Sequence, residues 1–371
     1  MLKAYKYRIY PTKEQMKFIK LHFGACRFVY NWALEQKIKM YKQTQKSISR
    51  FDLQKILVRE IKPSNDWLKK VNSQSLLSSL MNLESGFTKF FREKEGFPKF
   101  KSKKNQVQSF QIPQHYIVDF EMGIVRLPKI GKVKAVFHRC FEGTPKTATV
   151  SRSRTGEYYI SILVNNGEEL PEKQQFSEIS TIGVNVGIKN FAVLSTGERI
   201  SYPKCFKNSL QREKVLQKRV SRKIKGSKNR EKAKQKLTKL HKKISNQRND
   251  FQHKLSFRLI CENQAVALET LNVKGMTENH HLAQAIGDSA WSSFVTKLEY
   301  KAAWFGKTIL KIGQLEPSTK ICNNCGFHHS ELTLKYREWE CPECKINHDS
   351  DINIAINIKK FSLQDQNLAV I

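Results

Sequence analysis

The chain has 371 residues, with 66 Lys+Arg against 33 Asp+Glu and a formal net charge of +33. That length allows two to four domains, and such a charge excess repels itself in a compact state unless a polyanion neutralises it. DNA and RNA are the polyanions it points to; no run approaches 18 apolar residues, which excludes a spanning helix of ordinary composition.

Residues 1–8 alternate polar and apolar side chains and lack a signal-peptide core. A cytoplasmic, nucleoid-associated location is therefore expected. In that reducing compartment Cys26, Cys140, Cys205 and Cys261 are expected to be thiols rather than disulfides. The alternation over residues 3–9 predicts a strand that Pro11 ends. From Thr12 to about Phe91 the pattern turns helical: Met16, Ile19 and Phe23 share a face, as do Phe28 with Trp32 and Leu34 with Ile38. Gly24 and Pro63 are expected to punctuate this region, and residues 73–83 read as a further amphipathic helix. Residues 97–104 form a basic, aromatic-bearing linker. Residues 107–165 return to short strands, including 146–153 and 158–164. These imply a small barrel completed by the first strand with the helices inserted into it; a plain α+β domain is the alternative.

The polar, acidic stretch 167–176 reads as a boundary. Strands flanking a Gly turn follow at 181–195. Residues 207–248 then hold seventeen Lys/Arg and two acids, Glu213 and Glu231. With Leu237, Leu240 and Ile244 at helical spacing and Gly226-Ser227 as a break, this predicts a basic helical hairpin. The imbalance is too large for ion pairing within the helices. Lys218, Arg219, Arg222, Lys223, Lys225, Lys232, Lys236 and Lys243 are therefore candidates for phosphate contact; a solvated face is the bland alternative. Residues 265–269 read as a buried strand ending in an acid, 309–313 as another strand, and 351–360 as a closing helix with Ile352, Ala355, Ile356 and Ile358 on its apolar side.

Cys322-Asn-Asn-Cys325 and Cys341-Pro-Glu-Cys344 are C-x2-C pairs separated by fifteen residues. This is zinc-ribbon spacing. Four thiolates complete a tetrahedral site with no position for water, so the implied zinc is structural. A redox role for either pair is the competing reading. His348 is taken as a non-ligand because four cysteines suffice. In the loop 335–339, Lys335, Arg337 and Trp339 could serve phosphate contact or stacking, or Trp339 could pack against the metal knuckle.

Two-metal phosphodiester hydrolysis needs carboxylates that hold ions a few ångströms apart, and magnesium keeps waters, so few carboxylates suffice. A strand-end acid, a second strand-end acid and a helix-borne acid can converge in a mixed sheet. Asn185, Glu269 and Asp351 hold such positions, although a strand-end Glu is by itself usually a solvated cap.

Several strings carry a resemblance. They are Lys6-Tyr-Arg-Ile-Tyr-Pro-Thr-Lys13, Gly24-Ala-Cys-Arg-Phe-Val-Tyr-Asn-Trp32, Phe97-Pro-Lys-Phe-Lys101 and Gly183-Val-Asn-Val-Gly-Ile-Lys-Asn190. Further along come Arg248-Asn-Asp-Phe-Gln-His-Lys-Leu-Ser256, Leu268-Glu-Thr-Leu-Asn-Val-Lys-Gly-Met276, Ser318-Thr-Lys-Ile-Cys322, Arg337-Glu-Trp-Glu-Cys341 and His348-Asp-Ser-Asp-Ile-Asn353. Over nearly its whole length the chain resembles the TnpB family of transposon-encoded RNA-guided DNA endonucleases, long catalogued as OrfB-type transposases. The resemblance implies an α+β multidomain protein. A wedge β-barrel (residues 1–10 and 105–170) would be interrupted by a helical recognition domain with its basic linker (11–104). A RuvC, RNase H-like α/β nuclease domain would occupy 178–316 with the basic hairpin at 207–260. A zinc-ribbon insertion (317–347) and a final nuclease segment with the tail (348–371) would follow.

The resemblance further implies a guide RNA from the transposon end, and a double-stranded DNA target read beside a short adjacent motif. One chain on one RNA is expected. It places the metal-holding acids at Asn185, Glu269 and Asp351, so the first acid is an amide and the magnesium site is weakened. Ser350 also departs from a common Arg, Thr270 from a common Asp and Ile354 from a common Ala. The expected function is thus RNA-guided DNA binding with impaired cleavage. A naturally nuclease-dead RNA-guided repressor is the alternative, and a generic basic RNA-binding scaffold a third. A transposase proper would need a recombinase motif, and neither a tyrosine nor a serine one is present.

Overall fold

The computed structural model describes residues 1–104, 107–270, 287, 289–313, 316–332 and 336–366, except the side chains of 204–207. It divides into two compact units, Met1–Glu169 and Leu170–Ile371.

In the first unit, β1 (Leu2–Tyr10) lies inside a seven-stranded antiparallel sheet. The other strands are β2 (Gln108–Ile112), β3 (Ile117–Asp119), β4 (Ile124–Leu127), β5 (Gly131–Val136), β6 (Thr144–Arg152) and β7 (Tyr158–Asn165). Their order is β2-β6-β7-β1-β5-β4-β3. The strand that opens the sequence pairs along residues 2–9 with β7 and along 8–10 with β5, which joins two groups of strands from residues 108–165. The edge strands β2 and β3 share no ladder among the described residues.

Pro11 lacks the N–H that would continue β1. Thr12 then starts α1 (Lys13–Thr44) by a reciprocal cap: its hydroxyl accepts from the Gln15 amide, and the Gln15 side chain accepts from the Thr12 amide at 3.0 Å. The break expected at Gly24 is absent, and α1 runs through it unbroken. A mid-helix Gly costs about 1 kcal/mol, which burial of the neighbouring Ile19, Phe23, Ala25 and Val29 outweighs. Phe28 is likewise not part of the buried face; it stays exposed and meets the Trp67 ring edge-on at 5.4 Å. After α1 come α2 (Arg50–Ile56), a π-helical turn (Leu57–Ile61), α3 (Asp66–Lys69) and α4 (Ser73–Arg92). Helices and sheet share one core that includes Ile19, Leu34, Leu80, Val150 and Ile160.

The second unit is built on a five-stranded mixed sheet. Its strands are β8 (Thr181–Val186), β9 (Ala192–Leu194), β10 (Arg199–Ile200), β11 (Ala265–Glu269) and β12 (Thr308–Ile312), in the order β10-β9-β8-β11-β12. β8, β11 and β12 run parallel, while β9 and β10 pair antiparallel. The helices are α5 (Lys204–Ser221), α6 (Lys228–Glu262), α7 (Trp291–Phe305) and α8 (Ser350–Gln364). Alternate residues of β8 and β11 serve opposite faces. Ile182, Val184, Val266 and Leu268 pack with Leu259 of α6 and Phe294 of α7, whereas Ala265 and Ala267 pack with Ile354 and Ile358 of α8. Two short strands, β13 (Glu338–Glu340) and β14 (Asn347–Asp349), pair just before α8. No helix among the described residues is long and apolar enough to cross a membrane.

The α6–α7 contact buries two lysines against neutral partners. Lys297 donates to Gln252 Oε1 at 3.1 Å and Ser293 Oγ at 2.6 Å, and Lys301 to Ser256 Oγ at 2.8 Å. Burial pushes Lys301 down to about 8, and the Lys297 charge one turn away adds to this. The folded state therefore holds fewer protons than the unfolded chain between pH about 8 and the ordinary lysine value. Stability should rise as pH climbs through that window, and the full cost of charging is present below it. Lys301→Met is expected to raise the thermal midpoint of the RNA-free protein by about 3–6 °C at pH 7, with a smaller gain at pH 9.5. Equal gains at both pH values would exclude this cause.

Candidate functional site

Ala265–Leu268 of β11 stand opposite Thr181–Val184 of β8 in parallel register. Asn185 and Glu269 are the next residues on each strand, so by register and alternation their backbone positions are neighbours on the α8 side of the sheet, at a strand end where the Glu269 side chain also reaches the cavity on the α7 side. Gly183, two residues earlier, makes this approach feasible. A Cβ there would collide with the Ala355 carbonyl oxygen and lie 3.0 Å from Lys359 Cβ. α8 therefore rests directly on β8 and brings its first turn, which carries Asp351, over Asn185. Asp349 caps that turn by accepting from the Ile352 amide at 3.0 Å.

Asn185 donates from Nδ2 to the backbone carbonyl of Asp351 at 3.3 Å. An aspartate could not make this bond; its charge would face the carbonyl dipole unless a cation stood between them. The Asp351 carboxylate is held by guanidinium groups: Arg337 Nη1 at 3.2 Å and Arg199 Nη1 at 4.0 Å, with Arg199 also paired to Asp349. Glu269 is half-buried, and burial pushes its carboxyl above the ordinary range. No described residue pairs with it. It borders a cavity of about 260 Å³ that Val184, Leu268, Trp291 and Val295 also line.

As a donor set for a dication, this corner offers two carboxylates and one neutral amide. The amide presents its NH2 to Asp351, and Asp351 is already ion-paired. Magnesium fits it only weakly. Sequence reasoning missed Arg199, which no pattern marks, and assigned Arg337 to phosphate rather than to Asp351.

The four cysteines converge. All their sulfurs lie within 4.8 Å of one another, with Cys322–Cys344 at 3.7 Å and Cys325–Cys341 at 3.6 Å. A tetrahedral ion with ~2.3 Å bonds to sulfur has edges of about 3.8 Å, so the cluster fits zinc. His348 Nε2 lies 3.0 Å from the Cys322 sulfur and outside this group of four. A stacking role for Trp339 is not what the structure provides. The indole is buried with Cys322, Leu332 and Cys341, and its ring centroid lies 4.6 Å from that of His348. The same loop's Lys335 lies outside the described residues. Among the scattered cysteines, Cys26 is a buried thiol and Cys140 and Cys261 are exposed thiols; the Cys205 side chain is outside the described set.

α5 and α6 form a hairpin around Leu240 and Ile244, against which Leu210 and Leu216 pack. Buried Glu213 faces His241 at 3.5 Å, and Ser209 bonds Gln247 at 3.0 Å. These contacts occupy the inner faces. Lys218, Arg219, Arg222, Lys223, Lys225, Lys232, Lys236 and Lys243 are all exposed. None of them has an ion-pair partner among the described residues.

Three family profiles match: one described as a probable transposase (OrfB_IS605) over residues 161–280, a helix-turn-helix domain over 1–46, and a Cas12f1-like TNB domain over 291–358. Over 1–46 the structure has a strand and one unbroken helix rather than two helices. A Streptomyces pristinaespiralis protein named "Putative RNA-guided DNA endonuclease" is 37% identical over 96% of this chain and 88% of its own length. InsQ of Escherichia coli K12, which bears the same description, is 30% identical over 96% and 91%. Among solved structures, the cryo-EM complex of Cas12f1 with its single-guide RNA and target DNA matches at a TM-score of 0.59 and 14% identity. That match covers 97% of this chain and 98% of that one, and marks a shared α+β fold. With relatives this similar over almost the full length, the chain belongs to the TnpB (OrfB_IS605) transposase family.

Proposed function

We propose that this protein binds a guide RNA from its transposon end, is directed by it to double-stranded DNA beside a short adjacent motif, and cuts that DNA poorly or not at all. The guided-binding part rests on family membership across both units. The observation that carries the loss of cleavage is the Asn185 amide, which donates to the Asp351 carbonyl where a charged, metal-bridging oxygen would be needed. In this reading the seven-stranded sheet is the wedge barrel (1–10 and 105–170) and residues 11–104 are the recognition helices with their linker. Residues 178–316 with 348–371 form a RuvC-type domain, and 317–347 are its zinc ribbon, held by Cys322, Cys325, Cys341 and Cys344. The β10-β9-β8-β11-β12 order, with one antiparallel flank and three parallel strands, supports that assignment. One chain per RNA and a nucleoid-associated, cytoplasmic location belong to the same reading.

When bound, the metal ions would activate water and stabilise the leaving oxygen. Glu269 and Asp351 would hold them, and the exposed cations of the α5–α6 hairpin would bind phosphates.

Guided binding is tested by purifying the full chain from cells carrying its transposon end. The expected result is one co-purifying RNA of defined sequence, and retention of matched duplex at least about 100-fold tighter than unmatched duplex. RNA of random sequence would overturn the reading. Replacing Lys218, Arg219, Arg222 and Lys223 by Gln together should make the slope of log affinity against log salt shallower by about 3, read between 50 and 200 mM salt as ~0.7–0.9 per lost phosphate contact. An unchanged slope would mean these charges are only solvated.

A repressor role is the second reading. The intact surroundings of the corner favour it, because the sheet, the Asp349 cap and the cysteine cluster are all retained around Asn185.

A further inference from the structure

α8 carries two buried amides that the assignment above does not use. Asn353 and Asn357, one turn apart, are each 1% exposed. They lie on a flank of the helix away from Ile354 and Ile358, which pack on the sheet. Both face the segment that enters the first cysteine pair. Asn353 Nδ2 donates to the Ile321 carbonyl at 2.8 Å, and its Oδ1 accepts from the Asn323 backbone and side-chain amides, both at 2.9 Å. Asn357 Nδ2 donates to the carbonyls of Ser318 at 3.0 Å and Ile321 at 2.7 Å. One turn further on, Lys360 Nζ donates to the Asn323 carbonyl at 2.8 Å. Ile321 and Asn323 flank Cys322, so the groups these side chains grip belong to the turn that a metal ion would close.

We propose that Asn353 and Asn357 are positioning residues through which the metal-loaded cysteine module sets the place of Asp351. The part that concerns Asp351's chemistry rests on the nuclease-type reading above. The physical route is short. Asp351 is two residues before Asn353 in the same helical turn, and a helix moves as a rigid rod over that distance. The second cysteine pair reaches the same turn from the other side: Ser350 Oγ donates to the Tyr336 carbonyl at 2.8 Å, Ser350 N to the Arg337 carbonyl at 2.8 Å, and β13 pairs with β14. From the sheet that turn receives the Asn185 bond and the Arg199 ion pairs to Asp349 and Asp351. Without an ion the Cys322 turn keeps the bonds from Cys322 N to the Phe327 carbonyl and from Gly326 N to the Cys322 carbonyl, both 3.0 Å, but loses its tie to the second cysteine pair, and the carbonyl and amide positions that Asn353 and Asn357 read would be less firmly fixed. A buried amide with mobile partners is costly, so the first turns of α8 should loosen with the turn.

The test is amide hydrogen exchange of the full chain with its co-purified RNA, before and after zinc is stripped by a chelator. Stripping should speed exchange in peptides covering residues 350–358 at least tenfold and leave peptides of β8 and β11 unchanged. The Asn353→Ala/Asn357→Ala double variant, shown by metal analysis to retain zinc, should exchange fast in 350–358 already, and stripping should add little. Loosened cysteine loops with slow exchange in 350–358 would overturn the proposal, as would a double variant that exchanges like the parent. In an Asn185→Asp background, Asn357→Ala should raise the magnesium concentration for half-maximal cleavage about tenfold with duplex binding unchanged. A pure packing role would lower active protein without moving that midpoint, and this would also overturn it. If Asn185→Asp never cuts but the exchange coupling is seen, the coupling stands and only the nuclease reading fails.

Discussion

Asn185→Asp is expected to raise magnesium-dependent cleavage of a guide-matched plasmid by about 10²-fold or more, or to create it. The corner with Asn185 is electrostatically closed. The amide satisfies the Asp351 carbonyl, the Asp351 carboxylate faces Arg337 and Arg199, and Glu269 sits half-buried in the next register row. Putting a carboxylate at 185 removes the hydrogen bond, sets a charge against a carbonyl dipole, and places it beside Glu269. A dication relieves all three at once. A metal-bridging charge supplies several kcal/mol of transition-state stabilisation, and about 2.7 kcal/mol corresponds to 10²-fold in rate. Two readouts check this: cleavage by each protein purified with its RNA, and the effect of magnesium on thermal unfolding. The Asp variant should be stabilised by magnesium and the parent should not. Equal cutting by both would show that the charge at 185 is dispensable. If neither cuts although both bind target, attention moves to Ser350, whose hydroxyl is spent on the Tyr336 carbonyl, and to Thr270, which is exposed at the end of β11.

Gly183→Ala is expected to destabilise the second unit by about 3 kcal/mol. For a unit of this size that lowers its thermal midpoint by roughly 6–12 °C. The added methyl would point at the Ala355 carbonyl oxygen and the Lys359 side chain. Neither is the free end of a flexible group, so α8 must move away from β8 rather than adjust a rotamer. Because Ala265 and Ala267 of β11 pack in one apolar cluster with Ile354 and Ile358 of the same helix, the shift would disturb that packing as well and carry Asp351 off Asn185. In the Asn185→Asp background the same change should abolish cleavage even below the unfolding temperature. A control at Gly131, whose added Cβ meets nothing within 4 Å but whose φ is +89°, should show only the backbone cost.

Local pattern marked the elements and the chemistry of the cysteine module. The strand ending at Pro11, the Thr12 helix start, the strand at 265–269 and the basic hairpin were legible because periodicity, capping and charge runs act over a few residues. The C-x2-C pairs were legible because ligand spacing is itself local. Other features arise where segments far apart in the chain meet. That Asn185 bonds the Asp351 backbone, that Arg199 and Arg337 occupy Asp351, and that Trp339 is buried in the cysteine module depended on how β8, β10 and α8 come together. α8 shows the limit most directly. Helical spacing nominated Ile352, Ala355, Ile356 and Ile358 as the apolar side; Ala355 and Ile358 are buried, but Ile352 and Ile356 are only partly so, and Asn353, Ile354 and Asn357 are buried beside them, with Ser362 and Leu363 in the last turn. Hydrophobic period identifies a helix, but only the packed neighbours, a sheet on one flank and backbone carbonyls on the other, decide which of its faces is apolar and which must be an amide.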